Sequence, residues 1–245
     1  RQTAALAARF GLGCILVLSG EKEEPPSGNL LLDKLFGAET IYCSAEERNQ
    51  VLKDAFDEAW SAGKRPFLIP LGASTPTGTI GYLTAFEEFL TQGLEVDWIV
   101  VASSSAGTQA GLVLGALKSG WNGKVLGISI DHPAAELQQR VAELVEQAAE
   151  RINLKLHCQP SEILVNDQYL GKGYGIPSPL EIEAIRLFAR YEGLLLDPVY
   201  TGRAVAAMID LIRKGFFKPQ DRILFWHTGG TPALFAERYR TLLNE

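Results

Sequence analysis

The stretch DWIVVASSSAGTQAGLVLGALKSG concentrates more chemistry than any other part of this chain. An apolar run ends near Ala102, the small residues Ser103, Ser104, Ser105, Ala106, Gly107 and Thr108 form a loop, and an apolar helix follows directly. Small side chains let backbone N–H groups approach an anion, hydroxyls add donors, and the start of the helix supplies a favourable dipole. A phosphate monoester fits such a loop; so does a well-capped strand-to-helix turn with no ligand. The loop is not a P-loop, because no lysine follows a second glycine, and it is not a GxGxxG dinucleotide fingerprint. A second passage, YEGLLLDPVYTGRAVAAMIDLIRKG, puts Tyr200 at a turn. Gly193 can end one helix, Asp197-Pro198 turns the chain, and Thr201 can cap a helix that starts near Arg203. A third, ILFWHTGGTPALFAERY, runs from a strand into Thr228-Gly229-Gly230, with Thr231 as a cap and Pro232 at the first helical position. Capping accounts for Thr231 and Pro232. It leaves Thr228 at the carboxyl end of a strand, where open parallel sheets hold their ligands.

Metal and disulfide chemistry find no support in the spacing. His132, His157 and His227 are solitary, so no metal site is expected, although His227 lies beside Thr228. Cys14, Cys43 and Cys158 are far apart and odd in number, which reads as buried thiols in a reducing cytoplasm. The net charge of -6, with basic residues dispersed, disfavours tracking a nucleic-acid backbone and points to small-molecule partners. No apolar run approaches the roughly 18 residues needed to span a bilayer, so no membrane partner is expected.

The elements that must position these loops alternate regularly. The apolar runs CILVL, TIYC, FLIPL, DWIVVA, KVLGISI and RILFWH read as strands, separated by helical stretches such as ERNQVLKDAFDEAWSAGK and a long helix from Pro133 to about Ile152. Helices between β-branched runs argue for an α/β fold with mainly parallel twisted sheets flanked by helices. The Gly/Thr/Pro-rich passage LGASTPTGTIGY suggests a joint near residue 74, giving a smaller lobe over residues 1–74 and a larger one over 75–245. The 245 residues, 47% of them hydrophobic, suffice for one large or two small cores. The chain opens in the body of a helix, RQTAALAARF, and its one methionine is Met208, so the beginning of the natural product is expected to be missing.

Taken together, ASSSAGTQAGL, GKGYGIPSPLEIEAIRLFARYEGLLLDPVYTG and FWHTGGTPALF resemble the pyridoxal-phosphate enzymes of the 1-aminocyclopropane-1-carboxylate deaminase and D-cysteine desulfhydrase family. The resemblance runs along the whole chain. It implies fold type II, the architecture of the tryptophan synthase β subunit, with two α/β lobes and pyridoxal 5'-phosphate between them. It implies that Ser103, Ser104, Ser105, Ala106, Gly107 and Thr108 hold the cofactor's phosphate, and that Tyr200 and Thr228 also bind the cofactor. Many members carry glycine at the position of Ser104, which is awkward for serine if the backbone there needs a positive φ. The Ser-Asn motif and the Schiff-base lysine of the family lie upstream of the segment matching Arg1-Gln2-Thr3-Ala4-Ala5. None of the ten lysines here matches the context of that lysine.

The resemblance further implies a small amino-acid substrate, a homodimer, and Tyr200, Tyr174 and Thr201 as the catalytic side chains. Ring-opening deaminases carry glutamate at the position of Thr201 and leucine at that of Thr228, whereas desulfhydrases carry small hydroxyl residues at both. This chain has the desulfhydrase pair, which implies a carbon–sulfur lyase that eliminates from D-cysteine or a related β-substituted amino acid. A deaminase, or a homologue that binds a phosphate ligand or a partner without catalysis, is the alternative.

Overall fold

The computed structural model describes residues 1–239, in two units that are built separately. The first contains α1 (Gln2–Arg9), β1 (Ile15–Ser19), α2 (Gly28–Leu35), β2 (Glu39–Cys43) and α3 (Arg48–Ser61). β1 and β2 pair in parallel, from Ile15 opposite Glu39 to Ser19 opposite Cys43, and α2 lies in the crossover that a parallel pair requires. The FLIPL run does not form the expected strand. Pro66 and Pro70 remove a donor at each end of it, Phe67 is 85% exposed, and the chain passes into a single 3-10 turn, Leu71–Ala73.

The division between units also differs from the expected boundary at residue 74. It falls after Ile69, and residues 232–239 rejoin the first unit. Local contacts explain the return. The Glu237 N–H donates to Ser27 Oγ at 3.1 Å, and a side chain at Gly28 would lie 3.0 Å from the Pro232 carbonyl oxygen.

The second unit, Pro70–Thr231, carries α4 (Pro76–Thr91), β3 (Trp98–Ser103), α5 (Gly107–Ser119), β4 (Lys124–Ser129), α6 (Ala134–Arg151), β5 (Leu164–Asn166), α7 (Pro179–Tyr191), α8 (Thr201–Arg213) and β6 (Ile223–Phe225). Its sheet is parallel throughout, in the order β5-β4-β3-β6. Ile99, Val100, Val101 and Ile128 are fully buried, as strands covered on both faces demand. One apolar cluster joins Ala110 and Leu114 of α5 to Leu137, Val141 and Val145 of α6. Another gathers Phe86, Phe89, Ile99 and Leu112, with Trp121 edge-on to both phenylalanines. Each fully buried valine, leucine, isoleucine or phenylalanine among them contributes about 1.5–3 kcal/mol.

Two elements lie outside the expected alternation. The three-residue β5 is too short to stand out. The Gly/Thr/Pro-rich passage read as a joint is largely α4: Thr75 caps it by accepting the Gly78 N–H at 3.1 Å, and Pro76 opens it. The strand order has one consequence for function. After β3 the chain adds β4 and β5 on one side, then returns to lay β6 on the other. The order therefore reverses between β3 and β6, and the crevice beyond their carboxyl ends is where open α/β sheets take ligands. Among the described residues no helix is long and apolar enough to cross a membrane.

Candidate active site

Two of the three candidate loops begin at that reversal: residues 103–108 lead from the last residue of β3 into the first turn of α5, and residues 227–230 follow β6. The first loop is short enough that α5 starts at Gly107 with Ala106 as its N-cap. The left-handed backbone falls at Ala106 (φ 74°), not at Ser104. An alanine there costs roughly 1–2 kcal/mol, strain of the kind that persists where a tight turn must be held.

A phosphate fits this loop on three counts. Ser103 Oγ is buried and has no hydrogen-bond partner among the described residues. Gly107 has no room for a side chain, since a Cβ would come 2.7 Å from Ser74 Oγ. Ser104, Ser105 and Thr108 are only half-buried, so their hydroxyls add to the amides at the start of a thirteen-residue helix. Ser104 Oγ–H donates to Asp131 Oδ2 at 2.9 Å, and Ser105 Oγ accepts from Ser74 at 2.8 Å.

The DPVYT turn is organised by Asp197, which is 1% exposed. Its Oδ1 accepts the N–H groups of Val199 and Tyr200, and its Oδ2 accepts the Thr201 N–H, all at 2.8 Å. The sequence places Thr201 as a cap of α8, and the resemblance makes it a catalytic side chain. Instead Thr201 is fully buried inside the helix, and Asp197 does the capping. The Thr201 hydroxyl donates to Asp197 Oδ2 and accepts the Asp197 N–H, both at 2.7 Å. The loop after β6 lies against the same carboxylate: a Cβ at Gly230 would sit 2.5 Å from Asp197 Oδ2, and His227 is bonded to the Leu195 carbonyl at 3.1 Å. Thr228 itself is exposed.

Held by this turn, Tyr200 meets Tyr174. Their hydroxyls are 2.5 Å apart and their rings pack edge to face at 5.8 Å. Burial pushes the Tyr200 phenol well above its ordinary value, and Tyr174, Asp131 and Asp197 push it the same way. The Tyr200 hydroxyl therefore holds its proton more firmly than a free phenol, which suits it to donating a hydrogen bond. Tyr174 is 53% exposed, so the pair connects a half-buried proton to solvent.

Four supporting residues were not singled out in the sequence. Arg203 is completely buried, with Nε donating to Glu181 Oε1 at 2.9 Å and its terminal nitrogens to the carbonyls of Ile130 (2.8 Å), Gly173 (3.1 Å) and Ile176 (3.1 Å). It thereby fastens the loop bearing Tyr174 to the end of β4. Glu181 also bonds the Ser178 N–H at 2.9 Å, and the SPLE capping pattern was visible as a signal. A lone charge in the apolar run TGRAVAAM was a second signal. Asp131 and Ser74 carried none.

A family profile described as pyridoxal-phosphate dependent enzyme matches residues 1–229. The crystal structure of an ACC deaminase homologue superposes with a TM-score of 0.86 at 36% identity, covering 99% of this chain and 73% of that one. More distant structures share the fold alone. A pyridoxal 5'-phosphate-dependent aspartate racemase has TM-score 0.60 and 17% identity, covering 93% of this chain and 69% of its own. A serine racemase from Dictyostelium discoideum has TM-score 0.57 and 16% identity, covering 93% and 71%. With parallel sheets flanked by helices, a match over nearly its whole length and a close likeness to the ACC deaminase homologue, the chain belongs to the pyridoxal-phosphate dependent enzymes of fold type II.

Proposed function

We propose that the protein is a lyase of the D-cysteine desulfhydrase type, converting D-cysteine or a related β-substituted amino acid and water to pyruvate, ammonia and, from cysteine, hydrogen sulfide. The observation that carries this reading is the pair of neutral hydroxyl residues, Thr201 and Thr228, where ring-opening deaminases carry glutamate and leucine. The Asp197 turn supports it, because the buried Thr201 donates both its N–H and its hydroxyl to the Asp197 carboxylate, where a second carboxylate would meet like charge.

Ser103, Ser104, Ser105, Ala106, Gly107 and Thr108 would hold the phosphate, and Tyr200 and Thr228 would contact the rest of the cofactor. Pyridoxal phosphate, when bound, withdraws electrons from the Cα of an amino acid. The chain's own residues then govern protons. Tyr200 Oη can donate a hydrogen bond to the departing sulfur and stabilise its developing negative charge. Tyr174, hydrogen-bonded to it, holds that hydroxyl in place at the edge of solvent. A reducing cytoplasmic setting suits its three free cysteines, and a homodimer is the expected assembly.

The test measures products from the full gene product supplied with cofactor. Sulfide and pyruvate from D-cysteine support the reading, and Tyr200→Phe, which removes one hydrogen-bond donor, should lower their rate by about 10²–10³-fold. Formation of 2-oxobutyrate from 1-aminocyclopropane-1-carboxylate, without sulfide from D-cysteine, overturns it in favour of a deaminase. Neither product from either substrate overturns it as well.

A further inference from the structure

The phosphate loop has a neighbour that its own sequence does not reveal. α4 and α5 run parallel, because successive glycines of α5 face successive positions along α4 and the turn that leads into it. Gly107 meets Ser74, Gly111 meets Thr79, Tyr82 and Leu83, and Gly115 meets Phe86. A Cβ would fall 2.4 Å from Tyr82 Cβ at Gly111 and 2.6 Å from the Phe86 ring at Gly115, so only glycine lets the helices approach this closely. Residues four apart share one face of a helix, and this stripe aligns the two helices so that both N-termini end at the same place. The Leu71–Ser74 turn is pressed there with φ of 68° at Gly72 and 51° at Ala73, and a Cβ at Gly72 would lie 2.1 Å from Ser105 Oγ.

Ser74 sits where the two helix starts meet. Its Oγ accepts the Gly107 N–H at 3.2 Å and donates to Ser105 Oγ at 2.8 Å. An oxygen that accepts the first amide of α5 stands where a bound anion would place one. The partnerless, buried Ser103 Oγ opens the same loop. We propose that Ser74 is a ligand of the cofactor's phosphate, turning its Oγ–H from Ser105 to a phosphate oxygen and yielding the Gly107 N–H to that anion, while the N-terminus of α4 adds a second favourable dipole. This rests on the reading that residues 103–108 hold the phosphate.

The experiment compares two ligands on the apo form of the full gene product, by equilibrium dialysis: pyridoxal 5'-phosphate, and pyridoxal, which lacks the phosphate. Ser74→Ala should weaken pyridoxal 5'-phosphate by about tenfold, the lower end for a hydrogen bond to a charged group, and leave pyridoxal unchanged. Ser74→Thr should restore most of the loss. Equal weakening of both ligands overturns the proposal, since it shows that Ser74 acts on the fold. So does no weakening of either. Gly107→Asp separates this from the underlying reading. If that variant binds pyridoxal 5'-phosphate normally, the loop does not hold the phosphate. If it loses the phosphate ester while Ser74→Ala does not, only Ser74 is misassigned. Should Ser74→Ala fail to fold, Ser74→Gly and the thermal shift produced by inorganic phosphate decide between the same outcomes.

Discussion

Replacing Arg203 with methionine should destabilise the protein severely, and the size of the effect can be worked from its partners. The substitution leaves Glu181, 3% exposed, with the Ser178 N–H and hydroxyl as its only donors among the described residues, and leaves the carbonyls of Ile130, Gly173 and Ile176 without the guanidinium. Breaking a buried pair by removing one partner costs about 3–5 kcal/mol, against about 0–1 kcal/mol for an exposed bridge. Glu181→Met alone strands the opposite charge and should fall in the same range. The double variant Arg203→Met with Glu181→Met buries no unpaired charge, so its loss should fall short of the summed singles by about 2–3 kcal/mol. Arg203→Lys keeps the charge but not the fork that reaches several acceptors, and should lie between native and Arg203→Met. The assay is urea denaturation of all four variants at constant slope. Limited proteolysis adds a local readout, because Gly173 and Ile176 bracket Tyr174 and their release should open a cut there. A single-variant loss below about 1 kcal/mol would refute the argument, and so would strict additivity in the double variant.

Two further outcomes follow from other sites. Burial pushes the Cys158 thiol up to about 11 from an ordinary 9.0, so its neutral form contributes stability that is complete below pH 9 and is lost as pH rises through 11. Cys158→Ala should flatten the stability curve over that window, and an unchanged alkaline slope would count against burial as the cause. At Thr201, the Thr201→Glu substitution removes the hydroxyl that donates to Asp197 and sets a second carboxylate against it in a fully buried place. Denaturation should show Thr201→Glu far less stable than Thr201→Val, which loses only the hydrogen bonds at about 1–3 kcal/mol. A Thr201→Glu protein as stable as native that also forms 2-oxobutyrate would show that this position accepts the deaminase residue after all.

The sheet and its loops were legible because their signals are local. β-branched runs mark β3 and β4, and a loop of small residues before a helix marks an anion cup whatever lies around it. Signals that depend on a partner were not legible. FLIPL has the apolar character of a strand, yet a strand is defined by the ladder it joins, and Pro66 and Pro70 weaken any ladder at both ends. Thr201 had the right type and place for a cap, but which side chain takes the helix's first amide depends on geometry, and the carboxylate of Asp197 takes it together with the two amides that lead into the helix. The Gly107, Gly111 and Gly115 stripe is the clearest case. In sequence it is three small residues in an apolar helix, with a modest cost in helix propensity at each and no stated benefit. Its meaning lies in α4, which hides in a passage rich in threonine, glycine and proline. Once α4 is in place the same glycines become the condition for two helix starts to share one loop. An alanine at Gly111 would force the Thr79 carbonyl and Tyr82 away from α5, and with them Ser74 from the first amide of that helix.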